Sequence, residues 1–127
     1  MRRYKNAWFA KFARKEKMDD SALCEAIHRA EKGLIDADLG SDLLKQRVAR
    51  EGAGKSGEYR TLIFFRSGER SIFVFGFAKS DKANLNAEEL AEFRKAAKEY
   101  LAFSQLQIDK LVKIGKLTEV NYGDEDL

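Results

Sequence analysis

The residues of this 127-residue chain that could do chemistry are mostly basic, and they gather in its middle. Lys45, Arg47 and Arg50 fall in one run. Lys55 lies in the glycine-rich stretch that follows. Tyr59, Arg60 and Arg66 belong to the next run, and Lys79 and Lys82 stand just beyond a third. Strand alternation puts Lys45 and Arg47 on one face of their run, and Arg60 and Arg66 on one face of theirs. Register decides whether those faces coincide. Cations on strands beside tyrosine and several phenylalanines suit single-stranded RNA, because Lys and Arg meet phosphates while rings stack on bases. Such a surface can also break the strand without histidine. The reaction needs a base at the 2′-hydroxyl, an acid at the leaving oxygen and positive charge on the phosphorane. Lysine or tyrosine can move protons when neighbouring cations lower their pKa values, and arginine can hold the developing charge. The alternative is that these are solvated strand-edge charges that discourage aggregation.

Other chemistries find less support. Residues 49–56 (AREGAGKS) come close to a phosphate-binding loop, but Ala49 stands where that pattern wants glycine. That loop must also open a helix, whose first amides hold the phosphates. Here it leads into EYRTLIFF, a strand-forming run, so it reads as a loop with a basic tip. His28 is the one histidine, which leaves no imidazole pair, and its neighbours Glu31 and Lys32 do not make a metal site with it. Cys24 is the one cysteine. It forms no internal disulfide, is too little for a thiolate zinc site, and reads as a small core residue. Glu51, Glu58, Glu69 and Asp81 are carboxylates near the basic stretch without the pattern of a metal nuclease. We therefore expect no metal and no cofactor.

The elements that must position the basic residues belong to one domain, 1–127. Hydrophobic residues make up 44% of the chain and charged residues 35%, too apolar for a disordered chain. The longest apolar runs are a few residues, such as 62–65 and 72–75, far short of the roughly 20 needed for a membrane span. No apolar secretory segment follows the basic N-terminus, so the reducing cytoplasm is the expected compartment. A basic transit helix over 1–17 is the alternative to a first strand there. The net charge of +3 hides blocks: +6 over 1–17, −5 over 18–44, +5 over 45–82, zero over 83–113 and −3 over 114–127. If the two basic blocks meet in space, they form a polyanion-binding face.

Without proline, turns fall to Gly, Asn, Asp and Ser. Tyr4–Phe9 reads as a strand and Lys11–Lys17 as a helix. Asp19 or Asp20 caps a second helix, on which Leu23, Ile27 and Ala30 recur at helical spacing. Gly33 stops it, with Leu34 placed for the contact of a Schellman end. Leu43–Arg50, Tyr59–Arg66 and Ser71–Ala78 read as strands, the last two as a hairpin around Ser67-Gly68-Glu69. Asn86 with Glu89 makes a capping box, and Leu90, Phe93, Ala97, Tyr100 and Leu101 form the stripe of the helix that follows. A further helix is expected over Ser104–Ile114, stopped by Gly115, and then an acidic, flexible tail over 116–127. The expected class is α+β, a mainly antiparallel sheet with helices packed on one face.

The runs KQRVAREGAGKSGEYRTLIFFR (45–66) and SIFVFGFAKSD (71–81), flanked by LIDADLG (34–40) and NLNAEEL (84–90), resemble the RelE/HigB toxins of type II toxin–antitoxin systems. The resemblance spans about residues 4–105. It implies a small antiparallel sheet packed by helices, and a toxin that cuts mRNA on the translating ribosome by metal-free attack of the 2′-hydroxyl. It also implies inhibition by a cognate helix-turn-helix antitoxin. Carried over by position, Arg60 matches the arginine that steadies the scissile phosphate. Lys45 and Arg47 match the basic strand before the glycine loop, and Lys79 the basic residue after the last strand. Lys55 would contact RNA or move a proton, and Tyr59 would stack on or orient it. Arg50, Arg66 and Lys82 complete the expected RNA surface. Ser80 and Asp81 depart from the pattern, since relatives often carry a further basic or aromatic residue there. Relatives on this fold also include toxins that inhibit DNA gyrase without cutting RNA, and a catalytically inactive RNA- or antitoxin-binding domain is the third reading.

Overall fold

A computed structural model describes residues 1–49, 58–78 and 85–121. The order is β1 (Arg2–Asn6), α1 (Ala7–Lys15), α2 (Asp20–Glu31), β2 (Ala37–Asp38), β3 (Leu43–Ala49), β4 (Glu58–Arg66), β5 (Arg70–Ala78), α3 (Ala87–Ala102), α4 (Gln105–Lys113) and β6 (Leu117–Glu119). The six strands form one sheet in the order β2-β3-β4-β5-β1-β6. β2 to β5 are antiparallel neighbours, β1 runs parallel to β5, and β6 closes the edge antiparallel to β1. The class is α+β.

Caps set the helix starts. The Asn6 side-chain oxygen accepts from Phe9 N at 2.7 Å, and its amide donates to the Val74 carbonyl at 3.2 Å. The first strand therefore stops at Asn6, and α1 begins at Ala7 rather than near Lys11. Asp19 caps α2, and both capping boxes, Asn86 with Glu89 and Ser104 with Gln107, are formed. Gly33, at φ +83°, closes α2 with the two bonds of a Schellman end, Leu34 N to Arg29 O and Gly33 N to Ala30 O. Leu34 itself stays 61% exposed.

Helices cover both faces, which corrects the one-face expectation. Phe9, Leu23, Ile27, Leu44, Val48, Tyr59, Ile63 and Phe73 form one core under α1 and α2. Tyr4, Leu43, Leu62, Phe64, Ile72, Ala97 and Ile108 form another under α3 and α4. The continuous apolar runs of β4 and β5 require this, because strands apolar on both faces need cover on both. The expected loose tail is corrected up to residue 121: β6 pairs with β1, and Leu117 and Val120 are each 2% exposed. Residues 122–127 lie outside the described residues. Among the described residues, no helix is long and apolar enough to cross a membrane.

A bulge adjusts β5. Leu62 lies opposite Phe75, but Ile63 lies opposite Phe73, so Val74 is an extra residue. Val74 and Phe75 therefore both pack towards the α3 side. Beyond them, Gly76 and Ala78 pair with Thr61 and Tyr59 on the α1 side, and Phe77 pairs with Arg60 on the α3 side.

Candidate nucleic-acid interface

Register brings three of the expected cations together. Leu43 pairs with Phe64, and both belong to the α3-side core. By alternation Lys45, Arg47, Arg60 and Leu62 share that face. Arg47 stands directly opposite Arg60, Arg60 opposite Phe77, and Lys45 opposite Leu62. The three cations thus occupy the end of the sheet where β3 stops and β4 starts.

Two arginines facing each other across strands repel, and each is held by a carboxylate. Arg60 Nη1 donates to Glu58 Oε2 at 3.3 Å, with both side chains partly exposed. Glu58 is two residues earlier on the same face of β4. Arg47 Nε donates to Asp36 Oδ1 at 3.0 Å, while its backbone N–H meets Asp36 Oδ2 at 2.7 Å. The Arg47 side chain is 48% exposed. Lys45 is half-buried and makes no ion pair among the described residues. The result is a row of cations, two of them oriented by carboxylates and partly exposed. A phosphate entering it would satisfy Arg47 and Arg60 together and relieve their mutual repulsion.

Two expected members stand elsewhere. Arg66 shares the face of Arg60 but sits at the opposite end of β4. It donates to Asp42 Oδ2 from Nε at 3.3 Å and Nη2 at 3.2 Å, and to the Leu101 carbonyl at 3.3 Å. Arg70, its cross-strand partner, donates to the carbonyls of Tyr100 and Phe103. The last turn of α3 has no basic residue of its own, so these two arginines satisfy its terminal carbonyls from the sheet. Tyr59 is a correction. It lies on the α1 face, 2% exposed, its hydroxyl donating to Glu16 at 2.7 Å and its ring set edge-on to Phe12. A buried ring on the other face of the sheet stacks on no base beside Arg60. Arg50, Lys55, Lys79 and Lys82 lie outside the described residues.

Among the other residues weighed, Cys24 is buried, with its thiol donating to the Asn121 carbonyl at 3.7 Å. His28 is exposed, its Nε2 3.2 Å from Arg3 Nη2. No group of three metal-ligating residues is present among the described residues. Two residues near the row were not singled out for it: Glu58, which holds Arg60, and Phe77, which extends the row. Period-two spacing from Arg60 is the signal for the first. The second needed the β4–β5 register.

A family model described as RelE toxin of RelE / RelB toxin-antitoxin system matches residues 1–120. No curated protein and no solved structure matches the chain.

Proposed function

For a chain that belongs to the family of RelE toxins of toxin–antitoxin systems, with an antitoxin as its partner, we propose that it is an endoribonuclease cutting mRNA on the ribosome. The observation that carries the reading is the Arg47–Arg60 pair, with Lys45 one step away on the same face. Three cations at one end of a sheet, two of them opposed, favour a bound phosphodiester over an empty site.

In the proposed reaction the 2′-oxygen attacks the neighbouring phosphorus, its proton leaving to a base, while the bond to the 5′-oxygen breaks. The products are a 2′,3′-cyclic phosphate and a 5′-hydroxyl. Arg60 holds the phosphorane oxygens as charge builds on them, oriented by Glu58. Arg47 holds the phosphate. Lys45 or Lys55 serves the proton transfer, at the 2′-hydroxyl or at the leaving oxygen. Lys79 is a further phosphate contact, and Arg50 and Lys82 extend the RNA surface. The antitoxin would be a helix-turn-helix protein.

The test is to map mRNA 5′ ends in a purified translation reaction, with and without ribosomes, for the wild-type chain and Arg60→Ala. Ribosome-dependent cuts that disappear in the variant are expected. An absence of cuts with the wild type would move the reading to a gyrase inhibitor or a binding-only toxin. Equally strong cuts in Arg60→Ala would keep the activity and discard the site.

A further inference from the structure

Trp8 is the one tryptophan of the chain, and it is 47% exposed. It is nevertheless fixed, its indole stacked on Phe75 with centroids 4.7 Å apart and on Phe12 at 5.2 Å. The topology explains its place. β1 pairs with β5 only from Arg70 to Phe73 and ends at Asn6. α1 begins there and sets Trp8 against Phe75, on the stretch of β5 beyond the β1 pairing. Gly76 is needed for this arrangement: a Cβ there would come within 2.6 Å of the Phe12 ring. Its absence lets that ring lie on the strand, with Trp8 resting on the ring. Beside the indole runs a groove of about 250 Å³, lined among others by Trp8, Phe12, Lys15, Tyr59, Gly76 and Ala78. It is smaller than sites for drug-sized ligands, which run to about 300–1,000 Å³, and suits one planar ring system.

The charge around it is mainly basic, although Glu16 also lines the groove. Trp8, Lys11 and Lys15 recur at the spacing of a single helix stripe, with Arg14 beside them. All four are exposed, and Lys11, Arg14 and Lys15 make no ion pair among the described residues. The nearest carboxylate in sequence, Glu16, accepts from Tyr59. On α2, by contrast, the exposed face pairs Arg29 with Glu25. The other large exposed apolar side chains, Leu34, Leu106 and Ile114, stand on other elements, and the rings beside Trp8, Phe12, Phe75 and Phe77, are partly buried. A fixed aromatic plane rimmed by unpaired cations is what a base and its phosphates require.

We propose that Trp8 and the outer stripe of α1 form a second RNA contact, in which one base of single-stranded RNA stacks on the indole while Lys11, Arg14 and Lys15 hold the adjoining phosphates. This deepens the reading above and rests on its substrate being RNA. Tyr59 pairs with Ala78 and Arg60 with Phe77. The groove therefore begins one residue along β4 and β5 from the cation row, on the opposite face. A strand passing round the end of β5 meets both.

The single tryptophan makes the test direct. The full chain is titrated at low salt with a labelled single-stranded RNA decamer carrying 2′-O-methyl groups, which cannot undergo 2′-hydroxyl attack. Indole emission should be quenched in step with binding measured from the label. Trp8→Leu should weaken binding by about tenfold, within the range for one lost base stack. The surface pair Lys11→Gln with Lys15→Gln, which removes no packing, should weaken it and flatten its salt dependence. Arg60→Ala should keep the quenching while losing cleavage. Binding without quenching, unchanged affinity in both variants, or no binding at all would overturn the inference. So would quenching by an antitoxin peptide and not by RNA. Quenching by RNA in a wild-type chain that cuts nothing would uphold the inference and overturn the nuclease reading, and cleavage without quenching would do the reverse.

Discussion

Arg60 and Arg66 lie on the same face of the same strand, six residues and so about 20 Å apart, and the structure gives them opposite work. Replacing Arg60 with alanine removes a long ion pair to Glu58 whose partners are 24% and 33% exposed, a contribution of about 0–1 kcal/mol. It also removes the repulsion from Arg47 across the strands, about 0.2–1 kcal/mol in the other direction. The two nearly cancel, so Tm should move by no more than about 3 °C. Loss of a donor to the phosphorane should slow cleavage by about 10²–10³-fold, or about 2.7–4 kcal/mol. Arg66→Ala should behave in reverse. It strips a donor from the Leu101 carbonyl, about 1 kcal/mol, and two bonds from a half-exposed Asp42, up to about 1 kcal/mol. That lowers Tm by about 3–10 °C and leaves cleavage within about threefold of wild type at a temperature well below Tm. Thermal unfolding of the two variants is compared with 5′-end mapping at equal folded concentration. The reasoning is refuted if Arg66→Ala loses a hundredfold in cleavage while folded, or if Arg60→Ala cuts at the wild-type rate.

Tyr59→Phe should destabilise the fold by about 1 kcal/mol through loss of the bond to Glu16 and leave cleavage intact; chemical denaturation measures the first, and a strong loss of cleavage in the folded variant would return Tyr59 to the reaction. Gln46 is fully buried, its amide donating to the carbonyls of Ala26 and Leu34 and its oxygen accepting from Asp36 N. Gln46→Leu strands those three backbone groups and should remove about 3 kcal/mol or more; a change below 1 kcal/mol in urea unfolding would contradict it. Binding of uncleavable RNA should fall with salt at a log–log slope of about −2 or steeper, from about −0.7 for each of three phosphates. Arg47→Ala should make that slope shallower by about 0.7, whereas an unchanged slope would remove Arg47 from the interface.

The parts of the fold legible beforehand are those fixed by neighbouring residues. Asn86 and Glu89 satisfy each other's backbone within one turn, and Gly33 closes α2 within two residues, so both signals are local. The β4–β5 hairpin follows from two apolar runs around Gly68, at φ +76°. What stayed hidden depends on residues far apart in sequence. The parallel pairing of β1 with β5 joins positions nearly 70 apart, and β6 is a strand because Val120 N finds the Arg3 carbonyl. The second helical layer was implied by the apolar runs themselves, since residues 62–65 present apolar side chains to both faces. Tyr59 is the instructive case among the site residues. Alternation alone puts it on the opposite face from Arg60, and its aromatic character drew it into a surface its position excludes.

The cation row was half legible for a related reason. Spacing joins Lys45 to Arg47 within one strand, but only the cross-strand register brings Arg60 to them, and register is set by what lies beneath. Gln46 and Thr61 are directly opposed and fully buried, and the Thr61 hydroxyl donates to the Gln46 carbonyl at 2.8 Å. A slip of one residue would turn every side chain of β3 to the other face. It would expose Leu44 and Val48, and bury Lys45 and Arg47 under α2. The buried polar pair on the α1 side thus holds the opposed arginines on the α3 side, although it touches neither guanidinium. The row is also unfavourable in isolation, since two arginines face each other. It persists because Glu58 and Asp36 divide the charge between them and because the core fixes the register. That leaves an arrangement whose repulsion a phosphate would relieve.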